Sequence, residues 1–288
     1  IMIKSYLTTA WRNLLRNKVF SMINVFGLAI GIAACFLIMQ YVRFEQSYDR
    51  FHENHERIYR VLINFDLPTE PGVSAANHPG TAPAMKADLP EVEESARIVH
   101  QSIFMGKSTW SHVDAAGNKI TFNEERVYNA DASFLKMFSF PFVFGNRETA
   151  LNEASAVVIS ESTAKKYFGT ENPLGKTMIL DGHRNFTVTG VFKDIAENSH
   201  IRFDILVSYF LREGWNGQWN HNWDWSWPEF YTYVRLAPQT NLSNFKGKLD
   251  DFVTRYLGDI MAKSNHEQTF ILQPLTDIHL NSPEMTKE

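Results

Sequence analysis

The stretch VFSMINVFGLAIGIAACFLIMQYV, residues Val19–Val42, contains no charged side chain and is mostly apolar. A helix of this length measures about 36 Å, which exceeds the roughly 30 Å of a bilayer's hydrocarbon core. A buried core helix is usually shorter, and a cleaved signal peptide has a shorter apolar core that ends at a small-residue site. The sequence therefore predicts one transmembrane helix over residues 19–42.

The charge distribution around this segment predicts its orientation. The whole chain has a net charge of -4, yet residues 1–42 contain four basic residues and no acidic one. Positively charged flanks of a membrane helix remain in the cytoplasm, so we expect a cytoplasmic N-terminus and an acidic body on the opposite side. A basic N-terminus ahead of an acidic body also argues against nucleic acid as a partner.

Residues 1–18 form a second membrane element in this interpretation. Their apolar side chains recur at three- and four-residue spacing, which predicts an amphipathic helix lying in contact with lipid at the cytoplasmic interface. The polar face offers two functions, a coupling helix that touches a cytoplasmic partner or an anchor that only fixes orientation. The residues assigned to either role are Trp11, Arg12, Arg16 and Lys18.

Small residues recur along one face of the predicted span. Gly27, Gly31 and Cys35 are spaced four apart, a pattern that lets a second helix approach closely. The alternative is that glycine is simply frequent in membrane helices. Residues 32–35 resemble a lipoprotein processing box, but apolar residues follow, so we interpret Cys35 as a packing residue. It is the only cysteine, so the remaining chain has no disulfide.

The body after the span mixes strand and helix signals and predicts an α+β fold. A stalk over residues 43–56 is expected to continue the membrane helix outward. Strands are predicted over 57–65, 95–101, 156–159, 177–180, 186–192, 203–209, 230–236 and 269–272, with short hairpin strands between 103 and 128. Helices are predicted over 81–89, 132–138 with Asp131 as its cap, 160–169 and 242–261.

Two segments resemble motifs of nucleotide and metal sites without matching them. Residues 169–177 have five residues between the glycines where a phosphate-binding loop has four, and they follow a helix instead of a strand. The histidines of residues 52–56 (HENHE) are three apart, not four, so we interpret this segment as a solvated stalk. No nucleophile motif is present. We therefore expect no catalytic residue, no metal and no cofactor, and predict a non-enzymatic protein.

Tryptophan is concentrated in one segment, which contains Trp215, Trp219, Trp223, Trp225 and Trp227. On a strand, the last three would share one face. Such a patch over residues 219–227 could bind sugar rings or a protein partner, or lie among outer lipid headgroups. The structural alternative is an aromatic cluster that covers a lobe or a loop. The sequence favours that alternative slightly, because no converging polar groups lie nearby.

Several short motifs together resemble the MacB/FtsX-like ABC transporter permeases of the branch common in Bacteroidota, over essentially the whole chain. The motifs are AWRNLLRNK (10–18), YDRFH (48–52), RIYRV (57–61), SAVVISESTAKKYFG (155–169), PLGK (173–176), VTGV (188–191), NSH (198–200) and LQPLTDIHL (272–280).

This resemblance implies a MacB-like periplasmic core domain over residues 57–280. It would consist of a porter lobe (57–101 and 200–280) and an inserted lobe (103–198). It also implies an inner-membrane permease that acts as a dimer, is driven by a separate cytoplasmic ABC ATPase and meets its substrate or partner in the periplasm. Such permeases have further spans after this domain, so residues 281–288 are expected to lead toward a second one and the chain to be an N-terminal fragment.

Two other functions remain open from the sequence. A single-span receptor could bind a ligand outside and signal through its helix, but only about 18 residues precede the span and supply no output domain. A membrane-tethered glycan-binding module is supported by the tryptophans alone. The transported substrate and its direction of movement are not indicated by any residue.

Overall fold

The structure, a computed structural model, describes residues 2–66, 72–209, 224–264, 266–283 and 285–287. It consists of two units, Ile1–Ser47 and Tyr48–Glu288. The first unit contains two helices, α1 (Met2–Arg16) and α2 (Lys18–Glu45), separated at Asn17, whose backbone angles of -108° and 57° are not helical. Both predicted helices are therefore present.

Helix α2 is the one helix among the described residues that is long and apolar enough to cross a membrane. None of its residues is buried within the structure. A helix that is apolar all round and unburied in its own chain needs another apolar environment, which lipid provides.

The second unit is rich in β-structure. In chain order its strands are β1 (Ile58–Asp66), β2 (Gly72–Ser74), β3 (Ala76–Asn77), β4 (Val92–His100), β5 (Ser108–Val113), β6 (Lys119–Glu124), β7 (Val127–Ala130), β8 (Phe142–Gly145), β9 (Ala156–Ser160), β10 (Thr177–Leu180), β11 (Arg184–Phe192), β12 (Ile205–Ser208), β13 (Phe230–Leu236), β14 (Glu267–Pro274) and β15 (Met285–Lys287).

Five α-helices accompany these strands within the described residues. They are α3 (Thr81–Asp88), α4 (Ser102–Met105), α5 (Ala132–Met137), α6 (Glu161–Phe168) and α7 (Leu242–Ser264), and single 3-10 turns lie at His55–Arg57 and Leu275–Asp277. The predicted α+β class with one N-terminal apolar helix is therefore confirmed.

The described strands form one sheet in the order β15-β2-β1-β13-β4-β7-β12-β9-β11-β10-β5-β6. In addition, β14 pairs with β1, β3 with β13, and β8 with β11. Strand β13 lies between β1 and β4 and is antiparallel to both. Strands β1 and β4 are therefore parallel, as a β-α-β unit with α3 as its connection requires.

Strands from both predicted lobes are interleaved in this sheet. Strand β12, from the range assigned to the porter lobe, pairs with β7 and β9 of the inserted range. Strand β4 in turn pairs with β7. The division into two lobes stays a prediction, and within the described residues hydrogen bonding is continuous from one range to the other.

The core is dominated by aromatic side chains at its centre. Five phenylalanines from α5, β11 and the loops beside them are buried: Phe134, Phe138, Phe140, Phe192 and Phe203. Two further clusters of buried apolar side chains include residues of α7 and of α6. Each of these helices therefore covers its own part of the sheet. Burying large aromatic surface contributes strongly to stability, and it fixes the strands that carry the site described below.

Two local predictions differ from the structure. Helix α2 ends at Glu45, and the segment expected to be a solvated stalk folds into the second unit, where Asp49 and His52 are buried. Asp131 precedes α5 but makes no side-chain cap. Its carboxylate instead accepts hydrogen bonds from Nε and Nη2 of Arg97, both at 2.9 Å, because a buried guanidinium competes better for it than a helix N–H.

The bend at Gly145 yields a test of the fold. Its φ is +84°, and an added Cβ would lie 2.5 Å from the Thr189 carbonyl oxygen. Gly169 also has a positive φ, +62°, but open space around it. We expect Gly145→Ala to cost at least about 1 kcal/mol more than Gly169→Ala, since only the first adds a clash to backbone strain.

Thermal unfolding followed by circular dichroism measures this difference. The Tm of Gly145→Ala should be about 2–4 °C below that of Gly169→Ala. Equal Tm values would show that β8 does not approach β11 as closely as described.

Candidate functional site

The site lies where the chain enters the second unit, four residues after α2 ends. Asp49 has a positive φ of 57°, a backbone conformation that Asp and Asn tolerate better than most residues. Its N–H donates to the Asn198 carbonyl at 3.0 Å, and its side chain is fully buried. The left-handed turn therefore directs a carboxylate into the interior, beside the segment at 198–200.

Asp49 is compensated there by His200 and Ser199. The backbone N–H of His200 and the hydroxyl of Ser199 donate to Oδ1 at 3.2 and 3.4 Å. Oδ2 lies 2.8 Å from Nδ1 of His200. On the far side of the ring, Nε2 lies 2.9 Å from the hydroxyl of Tyr233 on β13. We name Asp49, Ser199, His200 and Tyr233 the junction network.

The junction network is arranged to hold elements together. A carboxylate facing Nδ1 favours the proton on that nitrogen, which leaves Nε2 to accept from the Tyr233 hydroxyl. Burial raises the pKa of Tyr233 above its usual range, so this hydroxyl stays protonated. Because Nε2 is occupied by a buried phenol, His200 is poorly placed to activate a nucleophile. The geometry supports a positioning role.

His52 adds a second connection from the same segment. Its Nδ1 accepts a hydrogen bond from the Ser139 N–H at 3.1 Å, and the Ser139 hydroxyl accepts from the Glu53 N–H at 2.9 Å. The ring lies edge-on to Phe138 and Phe140, each at 5.0 Å. Burial lowers the pKa of His52 to about 3, an effect that nearby Asp49 opposes only in part. His52 is therefore neutral near pH 7.

A cavity of about 580 Å³ opens beside the junction network. Arg60 on β1 is buried in its wall, and its Nε and Nη2 donate to Oε1 of Gln273 at 3.0 and 2.8 Å. At the rim, the rings of Tyr48 and His279 stack in parallel 3.4 Å apart. The lining of this junction cavity consists of Tyr48, Arg60, Ile98, Tyr128, Ser199, His200, Ile201, Arg202, Tyr231, Tyr233, Ile278, His279 and Ser282.

The residues predicted for membrane contacts all belong to the first unit. Gly27, Gly31 and Cys35 lie on α2, where added Cβ atoms at the two glycines would meet nothing within 4 Å and the cysteine is exposed. Trp11 and Arg12 are exposed on α1. The remaining two predicted residues, Arg16 and Lys18, stand at the end of α1 and the start of α2. Their roles in helix packing and coupling stay predictions.

The predicted tryptophan patch is described only in part. Trp215, Trp219 and Trp223 lie outside the described residues. Trp225 stacks on Tyr256 of α7 at 4.7 Å, whereas Trp227 lies edge-on to Phe104 and Phe230 in a different cluster. Both precede β13 and are half-buried. These two side chains pack in separate apolar clusters, and the ligand patch stays a prediction.

The sequence interpretation missed Asp49, His52 and His200 as site residues. Their signal was present, because all three belong to the short motifs YDRFH and NSH. These motifs are about 150 positions apart, and the contact between them became visible only in the structure.

Among the residues that the structure describes, no group of three or more His, Cys, Asp or Glu side chains is placed to hold a metal ion. The site is thus a buried polar connection beside an aromatic and basic cavity, at the root of an α+β domain that follows an apolar helix. This combination defines a membrane-anchored domain in which the first residues after the membrane helix contact the sheet through buried polar groups.

Comparison with known proteins gives the family. Residues 21–252 match the MacB-like periplasmic core domain, and the chain belongs to this family. It carries the periplasmic domain of a MacB/FtsX-like ABC transporter permease. No curated protein sequence matches the chain.

Two solved structures show the similarity of the fold. A domain assigned to a permease protein from Porphyromonas gingivalis is 27% identical, with a TM-score of 0.64 over 77% of this chain and 91% of that one. The periplasmic region of MacB from Actinobacillus actinomycetemcomitans is 15% identical, with a TM-score of 0.51 over 79% of this chain and 94% of that one. The second similarity concerns the fold alone.

The buried carboxylate of the junction network yields a test of stability. Asp49→Asn keeps the side-chain shape and tolerates the positive φ, but it leaves His200 without its charged partner. We expect a loss of about 2 kcal/mol in the free energy of unfolding, because hydrogen bonds to a buried charged group contribute about that much. Glu56→Gln, an exposed change in the same segment, should stay within about 0.5 kcal/mol of the parent. Urea denaturation measures both, and equal values would contradict the assigned pairing.

The buried histidines predict a loss of stability in acid. The pKa of His52 is lowered to about 3 and that of His78 to about 4, mainly by burial. As pH falls below about 6.5, the unfolded chain binds protons that the folded chain excludes. The stability that comes from keeping these histidines neutral is therefore complete above about pH 6.5. Below that pH the free energy of unfolding decreases toward pH 3, by up to about 1.4 kcal/mol per pH unit for each histidine.

His52→Asn should remove one of these two contributions. Unfolding free energies measured between pH 7 and pH 5 should fall less steeply for this variant than for the parent, while His78 maintains the remaining slope. Parallel pH profiles for the two proteins would contradict a neutral, buried His52.

Proposed function

We propose that this chain is part of a permease subunit of an ABC transporter of the MacB/FtsX type. A separate cytoplasmic ATPase hydrolyses ATP, and the resulting movement reaches the periplasmic domain through α2. That domain then exports a substrate or extracts it from the membrane. The family match over residues 21–252 is the observation that carries this proposal.

The junction network supplies the connection that such coupling needs. Only residues 46–48 separate the end of α2 from Asp49, whose carboxylate is tied to His200 and through it to Tyr233 of the central strand β13. In this proposal, a displacement of α2 reaches the sheet of the second unit through this short segment. Rigid-body movement of a packed domain is one of the usual forms of such transitions.

The first unit supplies the contacts on the cytoplasmic side and within the bilayer. Helix α1 presents exposed Trp11 and Arg12 on an amphipathic surface, which suits a contact with the ATPase and with lipid headgroups. Gly27, Gly31 and Cys35 form the face through which α2 packs on a membrane helix of the second permease copy. The N-terminus lies in the cytoplasm, and the second unit lies in the periplasm of an inner membrane.

Orientation can be tested by cysteine labelling. In a Cys35→Ser background, Asn13→Cys and Glu56→Cys place one thiol on each side of α2. An impermeant maleimide should label position 56 in intact spheroplasts and position 13 only after permeabilisation. The opposite pattern would reverse the proposed topology.

Coupling can be tested with the permease containing this chain and the ABC ATPase expressed with it, reconstituted in vesicles. The paired change Arg12→Glu and Arg16→Glu should reduce permease-stimulated ATP hydrolysis by about tenfold, because it reverses the charge of the contact surface. Lys136→Glu, a charge reversal at an exposed position of α5, is the matched control and should leave the rate unchanged. If neither the parent nor any variant stimulates an ATPase, the permease proposal fails.

A further inference from the structure

We propose that strand β6 pairs antiparallel with β6 of a second copy of this chain and joins the two sheets edge to edge. Strand β6 (Lys119–Glu124) is the last in the order of the sheet, and among the described residues its pairing partner is β5. Its other edge presents backbone N–H and C=O groups that no described strand occupies. An uncovered edge of this kind is a template for another strand.

Hydrogen bonds around β5 show which residues of β6 face outward. The Asp114 N–H donates to the Asn118 carbonyl at 3.0 Å, and the Asp181 N–H donates to the Thr109 carbonyl at 2.8 Å. Hydrogen-bonded pairs alternate along an antiparallel ladder, so even positions of β5 face β6 and odd positions face β10. The even positions of β6 therefore bond to β5. The outward backbone groups belong to Lys119, Thr121 and Asn123.

Two-fold symmetry selects one register for the pairing. In a symmetric antiparallel pair, one residue stands opposite its own copy. With Phe122 in that position, the apolar Ile120 would face the carboxylate of Glu124. With Ile120 there, Phe122 would face the turn before the strand. Thr121 is the remaining central position, and its outward N–H and C=O bond to those of the second Thr121.

This register matches side chains on both faces of the strand. On one face, Ile120 stands opposite Phe122 of the second copy, and the symmetry repeats this pair. Phe122 is 38% exposed in the single chain, so pairing covers apolar surface. On the other face, Lys119 stands opposite Asn123 of the second copy and diagonal to its Glu125. A cation therefore meets neutral and acidic side chains, which favours pairing.

Helix α6 holds β6 in the extended conformation that pairing requires. The Lys166 ammonium and the Tyr167 hydroxyl each lie 2.7 Å from Oε1 of Glu124. The same ammonium lies 4.2 Å from the centre of the Phe122 ring. These contacts are made by side chains on one face of β6, and they do not involve its outward backbone groups. A preformed strand loses less conformational entropy on binding than a flexible one.

The small size of this interface makes it dependent on the membrane. Six strand residues on each side bury less surface than the roughly 1,200–2,000 Å² of a stable complex. The interface therefore rests on the proposed permease dimer, in which two copies of α2 hold the chains in one bilayer and raise their effective concentration. We expect pairing in the assembled permease and not between separate copies in solution.

Cysteine cross-linking in membranes tests the interface and its register. In a Cys35→Ser background of the full chain, Thr121→Cys should form a disulfide-linked dimer on oxidation with copper phenanthroline. The Cα atoms of such a pair are about 5.5 Å apart, within the range of a disulfide. Asn123→Cys is the matched control, because its two copies would lie about 14 Å apart along the strands. The yield at position 121 should exceed that at 123 at least about tenfold.

A mixed pair provides a second test. Lys119→Cys and Asn123→Cys should cross-link when the two variants are expressed together, and neither should do so alone. Adding Thr121→Pro to both should reduce this yield at least about tenfold, because proline lacks the outward N–H. The ladder to β5 uses the even positions, so circular dichroism should show that this variant folds. If it does not fold, the comparison of positions 121 and 123 decides.

Two results would overturn the edge pairing. One is equal cross-linking at positions 121 and 123, which random collisions produce, and the other is no cross-linking at position 121 in membranes. ATPase stimulation in those same membranes would then leave the permease proposal standing and remove this interface alone. Cross-linking at position 121 without any ATPase stimulation would support the interface and count against the permease.

Discussion

The buried carboxylate of Asp49 imposes the constraint on which the rest of the site depends. A fully buried carboxylate costs several kcal/mol unless polar groups meet it. Here the Ser199 hydroxyl and the His200 backbone N–H donate to Asp49, and Nδ1 of His200 faces its other oxygen, so the chain entering the unit must lie against a segment about 150 residues later. Formation of this contact also brings His200 to Tyr233, and so connects the root of the domain to the middle of its sheet.

The position of β13 explains how that connection reaches the whole unit. This strand lies between β1 and β4, and it contributes Tyr233 both to the junction network and to the aromatic core, where its ring meets Phe138 edge-on at 5.1 Å. His52 reaches the same core from the entering segment. Polar and apolar contacts therefore secure the same short stretch of chain.

Local patterns in the sequence predicted most elements but not their assembly. Uncharged length predicted α2, apolar spacing predicted α1, and Ser160 predicted the start of α6, where its hydroxyl accepts from the Thr163 N–H. These signals lie within one element or its ends. The sheet order, the burial of His52 and the pairing of Asp49 with His200 depend on contacts between distant segments, which periodicity does not encode.

The tryptophan segment shows that a local pattern can also suggest an arrangement that the fold does not have. Alternation suggested a shared face, yet Trp225 and Trp227 lie ahead of a strand and contact different clusters. Every second side chain lies on the same face only where the backbone is an extended strand of a sheet. The family motifs were more informative than composition, because YDRFH, RIYRV, NSH and LQPLTDIHL all contribute residues to the junction cavity or its network.

Strands β1 and β14 run antiparallel over eight paired residues, with Tyr59 opposite Pro274 at the end nearest the junction cavity. A tension that pulled these two residues apart would load the ladder one hydrogen bond at a time, in the way that a zipper opens. The Tyr48–His279 stack and the contact between the turns at His55–Arg57 and Leu275–Asp277 lie just outside that first rung. Tension applied from this end would therefore have to break these contacts before it reached the hydrogen bonds between β1 and β14.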